Sequence, residues 1–145
     1  TNTLATLALL AGHVAGRGAE IGDGIREVAD LAEAALPSLE LATAPLALQF
    51  AYTGRMFVIG RGVEFATARE IALKLLETCR VAAEPLTATD LAHGPVAALD
   101  PLFPVWAIAS DDGTLAPVQE AAARTREMGA TLVASAPSLR RCRWS

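Results

Sequence analysis

Three short apolar runs, each separated from the next by a helical stretch, limit what this chain can fold into more than any other feature. They are RMFVIG (Arg55–Gly60), PVWAIAS (Pro104–Ser110) and TLVAS (Thr131–Ser135). None shows the apolar–polar alternation of a strand with one wet face. Each reads as a strand buried on both faces, the habit of parallel sheets. Between the first two lies a helical pattern from about Phe65 to Arg80, then a short segment, Val81–Glu84, and a helix or turn through Thr87–Ala92. Between the last two lies a helix over Leu115–Met128, with Gly129 as its cap. Strand, helix, strand, helix, strand requires right-handed crossovers. The expected class is α/β: a three-layer αβα sandwich around a parallel, doubly wound, flavodoxin-like sheet, with ligands outside the carboxyl ends of the strands.

The first fifty residues differ in texture and read as helices preceding the sheet. Leu4, Leu7, Leu10, Ala11 and Val14 repeat at helical spacing, and Gly16 and Gly18 break the pattern. Ile21, Ile25, Val28, Leu31, Ala32 and Ala35 form a second stripe that Pro37 closes, and a third short helix is expected from about Ser38 to Phe50. Thr3–Ala15 is apolar enough for a signal peptide but has no basic leading segment. A buried helix belonging to a longer protein fits it better. No apolar run is long enough to span a bilayer, so no membrane is expected.

At 145 residues and 52 % apolar composition the chain can bury a core. Its 12 basic and 16 acidic residues give a net charge of −4, with no basic stripe, which argues against nucleic acid. Cys79 and Cys142 are far apart, so neither a disulfide framework nor a metal site is expected, and the setting is cytoplasmic.

The helix TAREIALKLLETCR (Thr67–Arg80) holds the sharpest chemical signal. Glu70, Lys74 and Glu77 are spaced i, i+4, i+7 and share one face, while apolar residues cover most of the rest. A helix this apolar is expected to be largely buried, its charged stripe turned to solvent or to a polar cavity. A solvated Glu–Lys pair explains the spacing as well as a site does. Lys74 is the one lysine beside eleven arginines, which favours a place where a compact ammonium was wanted.

Gly60, Arg61 and Gly62 form a GRG loop at a strand end, where glycine lets a ligand approach the backbone. A tight strand-to-helix turn accounts for it equally well. Ala109–Thr114 (ASDDGT) is another strand end with ordinary turn chemistry. His93, one of two histidines, stands before Gly94-Pro95. It reads either as a solvated bystander or as a titratable group braced by a rigid turn.

Taken in order, FVIGRG, ALKLLE and AEPLTATDLAHGP are similar to the second sugar isomerase (SIS) domain of the glucosamine-6-phosphate synthase family and its two-SIS-domain isomerase and deaminase relatives. The resemblance runs from about Arg55 to Ala136. It implies that Glu77 shuttles a proton between C1 and C2 of an open-chain sugar, and that His93 assists ring opening in the neighbouring subunit's site. It further implies that Lys74 is a catalytic site residue, and that Glu70, Gly60, Arg61 and Gly62 bind substrate. It implies no cofactor and no metal. The partners implied are a sugar phosphate of the fructose 6-phosphate or glucosamine 6-phosphate class and a second copy of the chain, as a homodimer.

The chain also departs from the family. Leu76 stands where a lysine is common, and the Ser-Gly-x-Thr phosphate loop of a first SIS domain has no counterpart; ASDDGT would repel phosphate. The expected organisation is a helical linker over 1–50, a SIS domain shortened at its end over 51–137, and a tail unlike the family over 138–145. Two functions fit. One is a piece of an aminotransferase- or deaminase-type isomerase, inactive alone; the other is a non-catalytic sugar-phosphate-binding module for regulation or dimerisation.

Overall fold

The computed structural model describes residues 2–135, and the chain divides between Ala51 and Tyr52 into two units. The expectations for the tail, 138–145, and for Cys142 lie outside the described residues.

The first unit is a pair of helices, α1 (Asn2–Val14) and α2 (Gly18–Gln49). Glycines let them approach. A Cβ on Gly12 would fall 2.7 Å from Ile21 Cγ1, and one on Gly18 would fall 2.6 Å from His13 Nδ1. The expected helix boundary fails here. Pro37 does not end a helix: α2 runs unbroken for 32 residues through both Pro37 and Pro45. Proline deletes one ladder bond without forbidding the helical φ. The Ser38 and Thr43 hydroxyls donate to the carbonyls of Ala35 and Glu40 at 2.8 and 3.0 Å, adding side-chain bonds beside the interruptions. As one helix, Gly18–Leu48 is long and apolar enough by length and composition to cross a membrane, a test that core helices of soluble proteins also pass. Nor is α1 buried. Leu7 is 56 % exposed and Val14 84 % exposed, and Gly12 is its buried residue.

The second unit is a four-stranded, wholly parallel sheet in the order β2-β1-β3-β4, from β1 (Arg55–Gly60), β2 (Ala82–Thr87), β3 (Val105–Ile108) and β4 (Leu132–Ser135). Helix α3 (Val63–Lys74) links β1 to β2, and α4 (Leu115–Glu127) links β3 to β4. The two crossovers leave the central β1–β3 pair in opposite directions, which makes the sheet doubly wound.

Strand β2 is the element the spacing argument misses. Its Pro85 argues against a strand, but β2 is an edge. Ala82 and Ala88 donate inward to Gly54 and Gly60 at 2.9 and 3.1 Å, so even-numbered residues face β1 and the nitrogen of Pro85 faces the open side. No ladder bond is lost.

The core lies between the sheet and α4. Phe57, Ile59, Val105, Ala107, Leu132 and Leu86 meet Val118, Ala121 and Ala122 there, with Leu91, Leu99 and Phe103 from the β2–β3 connection. Alternate residues Met56, Val58 and Ile108 are buried toward the other face, where α3 packs with buried Ala68 and Ala72. Helix α3 is buried only along that line. Leu73 is 45 % and Leu76 55 % exposed, so the expectation of a largely buried helix fails.

Candidate functional site

Helix α3 starts at the carboxyl end of β1 and returns to the amino end of β2. Twelve residues at about 1.5 Å each carry it about 18 Å. Its last turn is followed by a π-helical turn, Leu75–Cys79, which Arg80 closes in the left-handed conformation at φ 58°. The Val81 amide then bonds the Leu75 carbonyl at 3.2 Å. Single π turns recur at functional sites because they re-aim one side chain. Here the turn contains Glu77.

The stripe meets as its spacing predicts. Lys74 Nζ lies 2.7 Å from Glu77 Oε2 and donates a hydrogen bond to it, with Glu70 Oε1 at 3.8 Å on the other side. All three side chains are at least half exposed. The Glu77 hydrogen bond and charge, with a smaller contribution from Glu70, hold the ammonium above the usual lysine range. The result is a carboxylate fixed beside a permanent cation on an open surface. Next to it, Glu70, Arg69, Leu73 and Leu76 line a groove against Ala83 and Pro85 of β2.

The other expected residues stand at the opposite end of the sheet. Gly60 is packed so closely that a Cβ would lie 2.5 Å from the Glu64 carbonyl oxygen. Gly62 has φ 63°, and a Cβ there would meet the Thr114 methyl at 2.9 Å. Both glycines are therefore explained by the turn into α3. Arg61 donates a hydrogen bond to the Thr89 hydroxyl beyond β2. His93 ends a 3₁₀ turn, Asp90–His93, and is exposed, its side chain without a hydrogen bond among the described residues. Gly94 follows at φ 136°, where a side chain would be strained, and Pro95 opens the next 3₁₀ turn, Pro95–Ala98. The whole of β2, about 20 Å at the usual rise, separates the end that holds His93 from the end that holds Glu77. Within one chain the two face different places.

At the β1–β3 switch point, where such sheets usually bind ligands, a side-chain hydrogen bond crosses between the two strand ends. The Ser110 hydroxyl donates to Glu64 Oε1 at 2.5 Å. Asp112 accepts from the Thr114 amide and hydroxyl at 2.7 and 2.6 Å, and those bonds hold its carboxyl below the usual range. Both carboxylates oppose an anion there. Sequence reasoning took ASDDGT for an ordinary turn; the Glu64–Ser110 bond, spanning 46 positions, had no local signal. Among the described residues no three His, Cys, Asp or Glu side chains gather as metal ligands.

Comparison with known proteins shows the family and the fold. The SIS domain family model matches residues 49–135. Glutamine–fructose-6-phosphate aminotransferase (isomerizing) of Nostoc sp. (strain PCC 9229) is 40 % identical over 119 residues, 79 % of this chain and 19 % of that protein. The Gloeobacter violaceus enzyme of the same name is 39 % identical over 137 residues, 86 % of this chain and 22 % of that protein. The chain thus spans about a fifth of the length of these relatives. Among solved structures, the C-terminal domain of glucosamine-fructose-6-phosphate aminotransferase from Francisella tularensis superposes with a TM-score of 0.71 at 24 % identity, over 86 % of this chain and 36 % of that one. It shares the fold.

Proposed function

Since this chain belongs to the SIS domain family, we propose that it supplies the acid–base half of an amino-sugar-phosphate isomerase site. The observation that carries this reading is the Lys74 ammonium seated between the Glu77 and Glu70 carboxylates on an open face. Glu77 takes the C1 proton of an open-chain 2-keto sugar phosphate, and the electron pair moves to the C2 oxygen. Lys74 stabilises the enediolate that forms. Once the hydroxyl proton has passed from O1 to O2, the carboxylic acid returns the carbon-bound proton to C2, leaving the carbonyl at C1 and a hydroxyl at C2. In an aminotransferase or deaminase the same step moves an imine. Both roles of one carboxylate need it near the C1–C2 bond throughout, which a rigid helix end provides.

The phosphate of the substrate is held elsewhere, because Glu64 and Asp112 make the switch point of this sheet hostile to anions. The 145-residue chain alone is therefore expected not to turn over. His93, a strand's length from Glu77, serves the site of a second copy, so the working form is a homodimer in a cytoplasmic enzyme.

The test is exchange of the C1 proton of fructose 6-phosphate with deuterated solvent, in an intact enzyme that contains this domain. Glu77→Gln should lower exchange by about 10²–10⁴-fold, the usual worth of a general base, while binding stays close to normal. Unchanged exchange would favour the second reading, a non-catalytic sugar-phosphate-binding module; the Glu64–Ser110 bond across the switch point is the observation on its side.

A further inference from the structure

At the carboxyl end of the sheet, on the α4 side, lies a cavity of about 230 Å³. Three separate pieces of chain build it: Arg61 after β1, Thr89 and Ala92 after β2, and Glu120 and Arg124 on α4. Arg61 is drawn in by the Thr89 hydroxyl. Arg124 Nη2 stands 3.5 Å from Glu120 Oε1. Among the described residues that line it, two guanidinium groups stand against a single carboxylate, an excess of one positive charge. Fully buried Leu91 forms part of the wall.

We propose that this cavity binds a small anion of the phosphate class, held by Arg61 and Arg124. Planar guanidinium forks match the oxygens of a phosphate, and two of them from different elements fix its orientation. The volume is below the roughly 300 Å³ of pockets that enclose a whole metabolite, so it suits a phosphate group with its ester pointing outward. The location follows the general rule for parallel sheets, displaced from the switch point, which Glu64 and Ser110 occupy. The site is remote from the Lys74–Glu77 stripe and stands whether or not that stripe is catalytic. It has one consequence for the chain. Thr89 and Ala92 flank and form the short turn that ends in His93. An anion bridging Arg61 and Arg124 would stiffen that turn and set where His93 points.

The experiment follows backbone amide resonances of the full 145-residue chain during titration with inorganic phosphate, at ionic strength held constant with sodium chloride. Saturable shifts centred on Arg61, Thr89, Ala92, Glu120 and Arg124 are expected. Arg61→Gln and Arg124→Gln should each weaken binding by roughly tenfold or more. Glu120→Gln frees Arg124 and removes the only carboxylate, so it should tighten binding; a variant that merely damages the fold cannot do that. Parallel titrations with glucose 6-phosphate and glucose separate the sources. Equal response to phosphate and its ester identifies free phosphate as sufficient, and a tighter ester identifies a phosphorylated metabolite; both support the site. Shifts centred on Glu70–Glu77, an equal response to glucose, no saturation by tens of millimolar, or weaker binding in Glu120→Gln would overturn it.

Discussion

Lys74 and Glu77 are joined by a 2.7 Å hydrogen bond across the junction where α3 passes into a π turn. The bond is made of two exposed side chains, so its worth to stability is small, but it favours the charged ammonium of Lys74. The folded pKa of Lys74 is raised. Whatever stability the pair contributes is therefore fully present below the ordinary lysine value, about 10.4, and is lost as pH rises through the higher folded value.

Glu77→Gln should bring the Lys74 pKa down toward that ordinary value, and Glu70→Gln should lower it by less, because Glu77 is the larger cause. Titration of the single lysine Nζ resonance reads both. An equal effect of the two variants would mean that the 2.7 Å bond does not persist in solution.

The strand-length separation of Glu77 from His93 gives a mixing prediction. If an intact enzyme containing this domain works as the proposed homodimer, Glu77→Gln and His93→Ala copies should each be impaired, and mixed dimers should recover part of the activity, since one of their two sites then holds both groups. His93→Ala should slow cyclic substrates while sparing an acyclic one. Failure of the mixture to recover would put both residues in a site within one chain.

Gly60→Ala should destabilise the second unit by about 1–3 kcal/mol, as overpacking against rigid backbone does, because the new methyl meets the Glu64 carbonyl at 2.5 Å. Gly94→Ala meets no atom within 4 Å but sits at φ 136°, so its cost, about 1–3 kcal/mol, is one of strain alone. Urea midpoints measure both, and Gly94→Ala should also shift the resonances of His93.

Leu4, Leu7 and Leu10 are each more than half exposed along α1. Such a face seeks a partner. The chain should self-associate at tens of micromolar in sedimentation, and Leu7→Glu with Leu10→Glu should return it to monomer and abolish binding of an apolar dye. A monomeric parent chain that binds no dye would show that the face needs no cover.

Strands β1, β3 and β4 were legible because a strand buried on both faces must be written as an apolar run. Strand β2 was not, since an edge strand tolerates Pro85, whose nitrogen faces the open side, and an exposed Glu84, so no apolar run is written. The stripe of Glu70, Lys74 and Glu77 was legible from spacing, but the π turn under Glu77 was not, because it changes hydrogen bonding without changing residue type. Pro37 misled because propensity is local and the flanking turns of α2 continue past it. The distance between Glu77 and His93 is a property of topology. It appears only once α3 is seen to run back along β1, so that residues close in sequence finish at opposite ends of the sheet.

Pro85 has an effect on the life of the molecule among its neighbours. An exposed parallel edge is a template onto which any extended chain can dock, including a half-made copy of the same protein. With its nitrogen turned outward, Pro85 offers no donor at the middle of that rim, and an incoming strand would find its ladder broken there. The β2 side of the sheet is thus closed to growth by a single ring. On that side, contact with another chain falls to side chains and not to continuous backbone pairing.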